Sequence, residues 1–506
     1  MSLKAIPQHP LARKLGIATE GLFLFLVLFG PWAFGTTQEW AIRLLCHGSL
    51  LFFAMALALY FLDRHFSSRY FSQEQSRHKE RLWGWADWLF IGLGILSLLY
   101  VALQWFNAQS DYYATTYEFI DYPHWEWLPS SFDKRFTLFY LFKYTALFFT
   151  YLGARILFQS GRARGRMFTL RMERFLWVVL ASTFVMVIVG AFMRLDKTTT
   201  LLWMVERSRW AGINNSFGPY GYRSSAAQYM NLLWPLGIAF WWSLSSALES
   251  RVFPRFRAYL NRYLVIVVLS LFVLAGVWIA ISRGGVWIAS IVSVLLLALI
   301  CLDALRGKHK RIYSALIILL LLAGAAGLGL QVAGQDARRL LETESSGRLE
   351  QYEASWPIYH DYPTYGVGAG AYYCMYDLYR SDTSRAKDPD FTFPFAHSDW
   401  LQLFIEFGNV GTALVVALLL WGLLLPWVTG RGTWFIRLAM ILAFSTALLH
   451  AIVDLPFYIF SVSWLFVVLM AFYHALGPVG RKLADAPERS GSRKLRRREV
   501  TRHASS

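Results

Sequence analysis

The chain has 506 residues, of which 56% are hydrophobic, 17% aromatic and only 16% charged. Soluble domains run at roughly 45–50% apolar and about 25% charged, so this chain has too little polar surface to cover a soluble core, and it is neither disordered, nor collagen-like, nor a disulfide-stapled scaffold. The net charge of +17 does not point to nucleic acid, because the basic residues fall between apolar runs instead of clustering on a folded face.

A helix needs about 20 apolar residues to cross a bilayer. The sequence holds about twelve such runs, at 17–35, 41–62, 87–105, 136–158, 175–194, 226–248, 263–282, 286–304, 313–332, 399–428, 433–451 and 455–477. No small-residue cleavage site follows Phe34, so the first run reads as a span and not as a signal peptide. Only Ser282-Arg283-Gly284-Gly285 separates the seventh run from the eighth, which predicts a tight helical hairpin. Lys143 lies about 10 Å into the fourth run, at 1.5 Å per residue, and must pair, snorkel or meet a lipid phosphate. Glu20 and His47 are smaller anomalies of the same kind. Cys46, Cys301 and Cys374 are too few and too far apart for a zinc site or a disulfide framework, and read as packing residues.

With the N-terminus placed inside, about two thirds of the 49 Lys and Arg fall on inner segments, and about a third of the 32 Asp and Glu. That asymmetry predicts that both termini are cytoplasmic. The division expected is 1–174 for N-terminal spans, 175–477 for spans that include a large outer loop at 333–398, and 478–506 for a basic tail. Two further outer segments, 106–135 and 195–225, are also long.

The largest outer loop carries most of the polar chemistry. Ser345 to Pro363 has helical periodicity, with Arg348, Tyr352, Trp356 and His360 on one face and Leu349, Tyr352, Trp356 and Tyr359 in an overlapping apolar stripe. Pro363 ends it, and Gly366, Gly368 and Gly370 follow, either as a plain turn or as an accessory phosphate cradle. The chain re-enters the membrane near His397, which could take a proton from a hydroxyl or simply be an interfacial histidine. His450 and Asp454 are accessory candidates, four residues apart near another outer helix end, and His360 is a third histidine. Arg223, Arg283 and Arg348 lie on the same side, at the hydrocarbon boundary or in the loop. Each could pair with a carboxylate or a helix end, or together they could grip a phosphate, which guanidinium matches in a bidentate fork. Asp388-Pro-Asp390 reads as a solvated turn, and no metal-binding motif, nucleophile elbow or P-loop occurs.

These residues resemble a known family. His397-Ser398, with Gly408 and Gly411-Thr412 following, is similar to the signature of O-antigen ligases. Gly347 to Tyr373 resembles the large periplasmic loop of that family, Ser282 to Gly285 another landmark, and Leu448 to Tyr458 a fourth. The resemblance runs over about 180–475, with the family's landmarks in order. It departs from the commonest form in having Ser at 398 where Asn is usual.

The resemblance implies the bacterial O-antigen ligase and polymerase superfamily, with a GT-C-like helical fold. It implies a metal-independent, cofactor-free glycosyltransferase at the periplasmic face of the bacterial inner (cytoplasmic) membrane, drawing on a polyprenyl-pyrophosphate-linked glycan donor. The acceptor would be a glycolipid, another glycan or, in some relatives, a protein hydroxyl. By the same analogy His397 is the base on the acceptor hydroxyl, and Arg348, Arg283 and Arg223 bind the pyrophosphate. Elementary chemistry agrees with this reading, since pyrophosphate leaves readily when fixed cations neutralise it. A transporter is the competing class, and it would show inverted repeats and broken helices at the midplane. Loop aromatics such as Tyr372, Tyr373 and Trp400 could stack on sugars or form an interfacial belt.

Overall fold

The computed structural model describes residues 10–70, 83–113, 115–160, 167–198, 200–206, 215–248, 255–306, 346–380 and 393–478, together with 322–324, 326–327 and 331. Helix follows helix. The first eight are α1 (Pro10–Trp32), α2 (Glu39–Tyr70), α3 (Trp85–Phe106), α4 (Lys134–Gln159), α5 (Leu170–Leu195), α6 (Arg223–Leu248), α7 (Arg255–Ala280) and α8 (Arg283–Arg306). Two shorter helices, α9 (Ser346–Asp361) and α10 (Tyr372–Tyr379), precede α11 (Asp399–Val428), α12 (Trp434–His450) and α13 (Phe460–His474). Apart from 313–332, which lies almost wholly outside the described residues, every predicted span coincides with one of these helices. Eight of them, α1 to α5, α7, α8 and α11, are long and apolar enough to cross a membrane, and α12 and α13 are apolar but shorter. The chain is thus a mostly helical, multi-pass membrane protein.

Local sequence explains where the helices begin. Asp133, Thr169, Ser398 and Thr433 cap α4, α5, α11 and α12, each accepting a backbone N–H from the first turn. Helix α6 sits at the centre, packed by α7, α8 and α12, with nearly every described side chain buried. Large apolar side chains left outside, such as Phe25, Leu96 and Trp287, are those a lipid-facing surface requires.

The three polar residues singled out inside the spans each have a contact. The Lys143 ammonium lies 4.2 Å from the Tyr140 ring centroid, a cation–π contact. Glu20 pairs with Arg171 and Arg174 at 3.5 and 2.8 Å. The His47 ring meets the Arg43 carbonyl at 2.7 Å. At the same end as the Glu20 pairs, fully buried Asp87 accepts a two-pronged contact from Arg431 at 2.7 Å and a third from Arg155 at 3.2 Å. All three cysteines are free, and Cys374 is buried on α10.

The opposite end carries the long connections. Between α3 and α4, β1 (Ser110–Tyr113) and β2 (Glu118–Asp121) form an antiparallel hairpin in register Ser110↔Asp121. A smaller hairpin joins β3 (Thr200–Leu201) to β4 (Val205–Glu206). Helices α9 and α10 pack on this layer around Tyr112, Ile358, Tyr372, Tyr376 and Ile405.

Candidate functional site

The site is built around residues 451–455, the turn that leaves α12. Its carbonyls and carboxylate tie four elements together. Arg348 on α9 donates to the Val453 carbonyl at 2.7 Å and to the Tyr222 hydroxyl at 3.3 Å. The start of α11 docks through the Asp399 amide, 3.1 Å from the Asp454 carbonyl, and through Ser398, 3.4 Å from the Ala451 carbonyl. Ser224, in the first turn of α6, donates to the Asp454 carboxylate and lies 3.2 Å from His450 Nε2. Ser282 donates to Ser224 at 3.1 Å and also receives the Gly285 amide at the start of α8.

His397 stands immediately before the α11 cap. One turn along α9 from Arg348, Tyr352 donates to the His397 carbonyl at 3.0 Å, so His397 and Arg348 share one side of α9. His397 Nδ1 is buried and makes no hydrogen bond within the described residues. Burial pushes the imidazole below the ordinary histidine pKa; the Asp454 carboxylate pulls it back up and the Arg348 guanidinium pushes it further down. The ring is therefore neutral near pH 7. Burial, and then Asp454, push the Tyr222 hydroxyl up to about 12, so it remains protonated beside Arg348. Among the described residues no carboxylate lies within ion-pair distance of Arg348, which spends its donors on a carbonyl and a phenol.

Two other predicted arginines open helices here. Arg283 is the first residue of α8 and Arg223 the first of α6, and both are half-buried. Their neighbours Ser282 and Ser224 touch, so the two helix N-termini meet at this network. Aligned N-termini carry partial positive charge. The predicted hairpin is confirmed, with Ile281 at φ 54° in the turn, a left-handed conformation that a β-branched residue rarely adopts. The accessory pair is also placed here: His450 packs against Gly284, and its Nε2 is 3.8 Å from Asp454.

The glycine run lies elsewhere. The amides of Gly366, Val367, Gly368 and Ala369 donate to the Tyr362, Ile405 and Glu406 carbonyls and to the Gln104 side chain, and the Gly370 amide donates to the Glu406 carboxyl group. Gly366, Gly368 and Gly370 stand at φ 72°, 102° and 80°, as turn residues do, which favours the plain turn over a phosphate cradle. Among the other expectations, the loop helix ends at Asp361 just before Pro363, and the rings of Trp356 and His360 meet on one face of it. His360 is not among the residues joined at 451–455. Asp388-Pro-Asp390 lies outside the described residues.

Tyr222 and Ser224 were not singled out from sequence. Ser224 could have been found from its place in the first helical turn after Arg223, whereas Tyr222 and the Val453 carbonyl could not, since only the fold selects them.

Residues 264–416 match the family model described as O-antigen ligase. This region belongs to the O-antigen ligase-like superfamily. The match covers the α7–α8 hairpin, Arg283, Arg348, His397 and the kinked start of α11, and stops before the 451–455 turn. No curated protein matches the chain.

Proposed function

We propose that the protein is a glycosyltransferase that moves a glycan from a polyprenyl-pyrophosphate carrier to an acceptor hydroxyl at the periplasmic face of the inner membrane. The observation that carries this reading is the convergence on one side of α9 of His397, whose Nδ1 has no hydrogen-bond partner among the described residues, and Arg348, which has no carboxylate at ion-pair distance among them. The acceptor oxygen attacks the anomeric carbon while its proton passes to His397. The bond from that carbon to the pyrophosphate oxygen breaks, and the departing charge meets Arg348, Arg283, Arg223 and the N-termini of α6 and α8. Attack opposite the leaving group inverts the anomeric centre. His450 and Asp454 hold the surrounding turn. The scaffold in this reading is GT-C-like, with about twelve spans and both termini cytoplasmic. No resident metal or cofactor is required in this scheme, because arginines take the role of a cation.

The test uses purified protein in lipid, a polyprenyl-pyrophosphate glycan donor and a chelator. Release of polyprenyl pyrophosphate is followed with core glycolipid, lipid-linked glycan or protein as acceptor. Acceptor-dependent release by wild type, lost in His397→Ala and Arg348→Ala, is the expected result. The productive acceptor separates a ligase from a polymerase or a protein O-glycosyltransferase. Full transfer by His397→Ala would remove the histidine from the mechanism.

A further inference from the structure

Away from His397, the connection between α3 and α4 and Leu378 of α10 line an open cleft of about 360 Å³ that the proposed chemistry does not use. Its size lies within the range of small-ligand sites, about 300–1,000 Å³. The antiparallel register explains the lining. Side chains alternate along a strand, so Phe119 and Asp121 share one face of the hairpin. Phe132 and Tyr122 also line the cleft, the Phe132 ring edge-on to Phe119 with centroids 6.3 Å apart. Gln109 and His124 complete the polar rim with Asp121.

These polar groups are unspent. Among the described residues the Gln109 amide and the Asp121 carboxylate make no side-chain hydrogen bond, and His124 has only a 3.3 Å contact from Nδ1 to the Tyr122 carbonyl. Asp121 and His124 are exposed and Gln109 half-buried, so an apolar ligand would engage none of the three. An anion would face the Asp121 carboxylate. A sugar ring satisfies both halves of the cleft. Its C–H face lies on an aromatic ring, and its neighbouring hydroxyls, donors and acceptors at once, pair with a planar amide and a carboxylate.

We propose that this cleft is a glycan-binding subsite that holds sugar residues of a carrier-linked chain at a distance from the reacting end. Its place in the fold suits that role, because Phe119 and Phe132 border the same apolar cluster that includes Ala396, next to His397. The inference rests on the glycosyl-transfer reading, but binding can be measured without transfer. Lipid-free tetrasaccharides of N-acetylglucosamine and of rhamnose are titrated against full-length protein in nanodiscs, with saturation-transfer NMR as readout. Wild type and His397→Ala are expected to bind at least one probe equally. Asp121→Asn and Gln109→Ala, both at the rim, should weaken it about tenfold, and Phe119→Ala at least as much. Binding unchanged in the rim variants, or none by wild type to either probe, overturns the subsite. Binding without transfer in any donor–acceptor pair would overturn the function and leave the subsite standing. Where transfer occurs, a rise in donor KM or in acceptor KM in Asp121→Asn tells which chain the cleft holds.

Discussion

His397 is held at φ 49°, in the left-handed region that few non-glycine residues enter and that histidine enters more often than most. The conformation turns the chain sharply into the α11 cap, and Tyr352 holds the histidine carbonyl from above. Because burial lowers the imidazole pKa, the neutral base persists to lower pH than a solvated histidine would allow. Transfer should therefore hold steady below about pH 6.5 and fall only at more acid pH; a pH profile with its acid limb at or above that value would contradict the burial argument. The linkage has a definite sign. Below the unfolded-state pKa the unfolded chain takes up a proton that the folded protein refuses, so stability falls as pH drops toward the lower folded value. In His397→Gln that part of the acid sensitivity should vanish, which thermal unfolding at pH 7.5 and 5 would register. The adjacent Ser398 caps α11 and reaches the Ala451 carbonyl at 3.4 Å; Asn caps a helix equally well and its amide can donate to the same carbonyl, so the Ser found here in place of the commoner Asn changes little. Ser398→Asn should melt within a degree or two of wild type, whereas Ser398→Ala should lose about 1 kcal/mol, with a matching fall in transfer as the start of α11 frays.

At the scale of elements, the family signature reads as backbone architecture. Gly408 stands at φ 58° and ψ −168°, a combination essentially confined to glycine, and it kinks α11. A Cβ there would meet the Gly366 amide nitrogen at 2.5 Å, and a Cβ on Gly366 would meet the Gly408 nitrogen at the same distance. Two backbones thus touch where the outer loop crosses the helix. Asn409 and Val410 donate to the Pro363 and Thr364 carbonyls, and the single Tyr100 O–H lies between the Tyr365 and Phe407 carbonyls at 2.8 and 2.7 Å. Gly408→Ala is expected to separate the loop from α11, lowering the melting temperature and abolishing transfer while membrane insertion continues; an unchanged melt would show that the crossing can relax. This contact marks where sequence stops being legible. The helix over 345–363 and the hairpin at Ser282 to Gly285 could be read from periodicity, proline and the four-residue gap. The partner of Gly366 could not, since a glycine pattern alone serves a phosphate or a packed backbone, and what decides is which carbonyls the amides reach. The same limit hid Tyr222, whose only distinguishing feature is to stand beside Arg348 once α6 and α9 are packed.

For the whole molecule, every turn that builds the site lies at one end of the bundle. The ends of α3, α7 and α12 and the starts of α4, α6, α8 and α11 meet there, as successive crossings require. The far end gathers the Asp87–Arg155–Arg431 cluster and the Glu20 pairs. This alternation was readable in the apolar runs, because a bilayer leaves no other way to satisfy the backbone. Part of the positive charge counted toward orientation is spent on ion pairs, since Arg155 and Arg431 neutralise buried Asp87 and Arg171 and Arg174 neutralise Glu20. Topogenic charge acts during insertion, before such pairs form, and acidic partners contribute little to it, so the pairing does not weaken the assignment. The far end should then face the cytoplasm and the His397 end the periplasm. Single cysteines at Trp127, an exposed tip of the α3–α4 connection, and at Gly430, in the α11–α12 turn beside Arg431, would test this in a background where Cys301, the half-exposed native thiol, is serine. With an outer membrane opened to an impermeant maleimide and the inner one intact, Trp127→Cys should label at once and Gly430→Cys only after the inner membrane is permeabilised. The reverse order would place His397 on the cytoplasmic side, out of reach of a periplasmic acceptor, and would end the proposed reaction whatever the chemistry of the site.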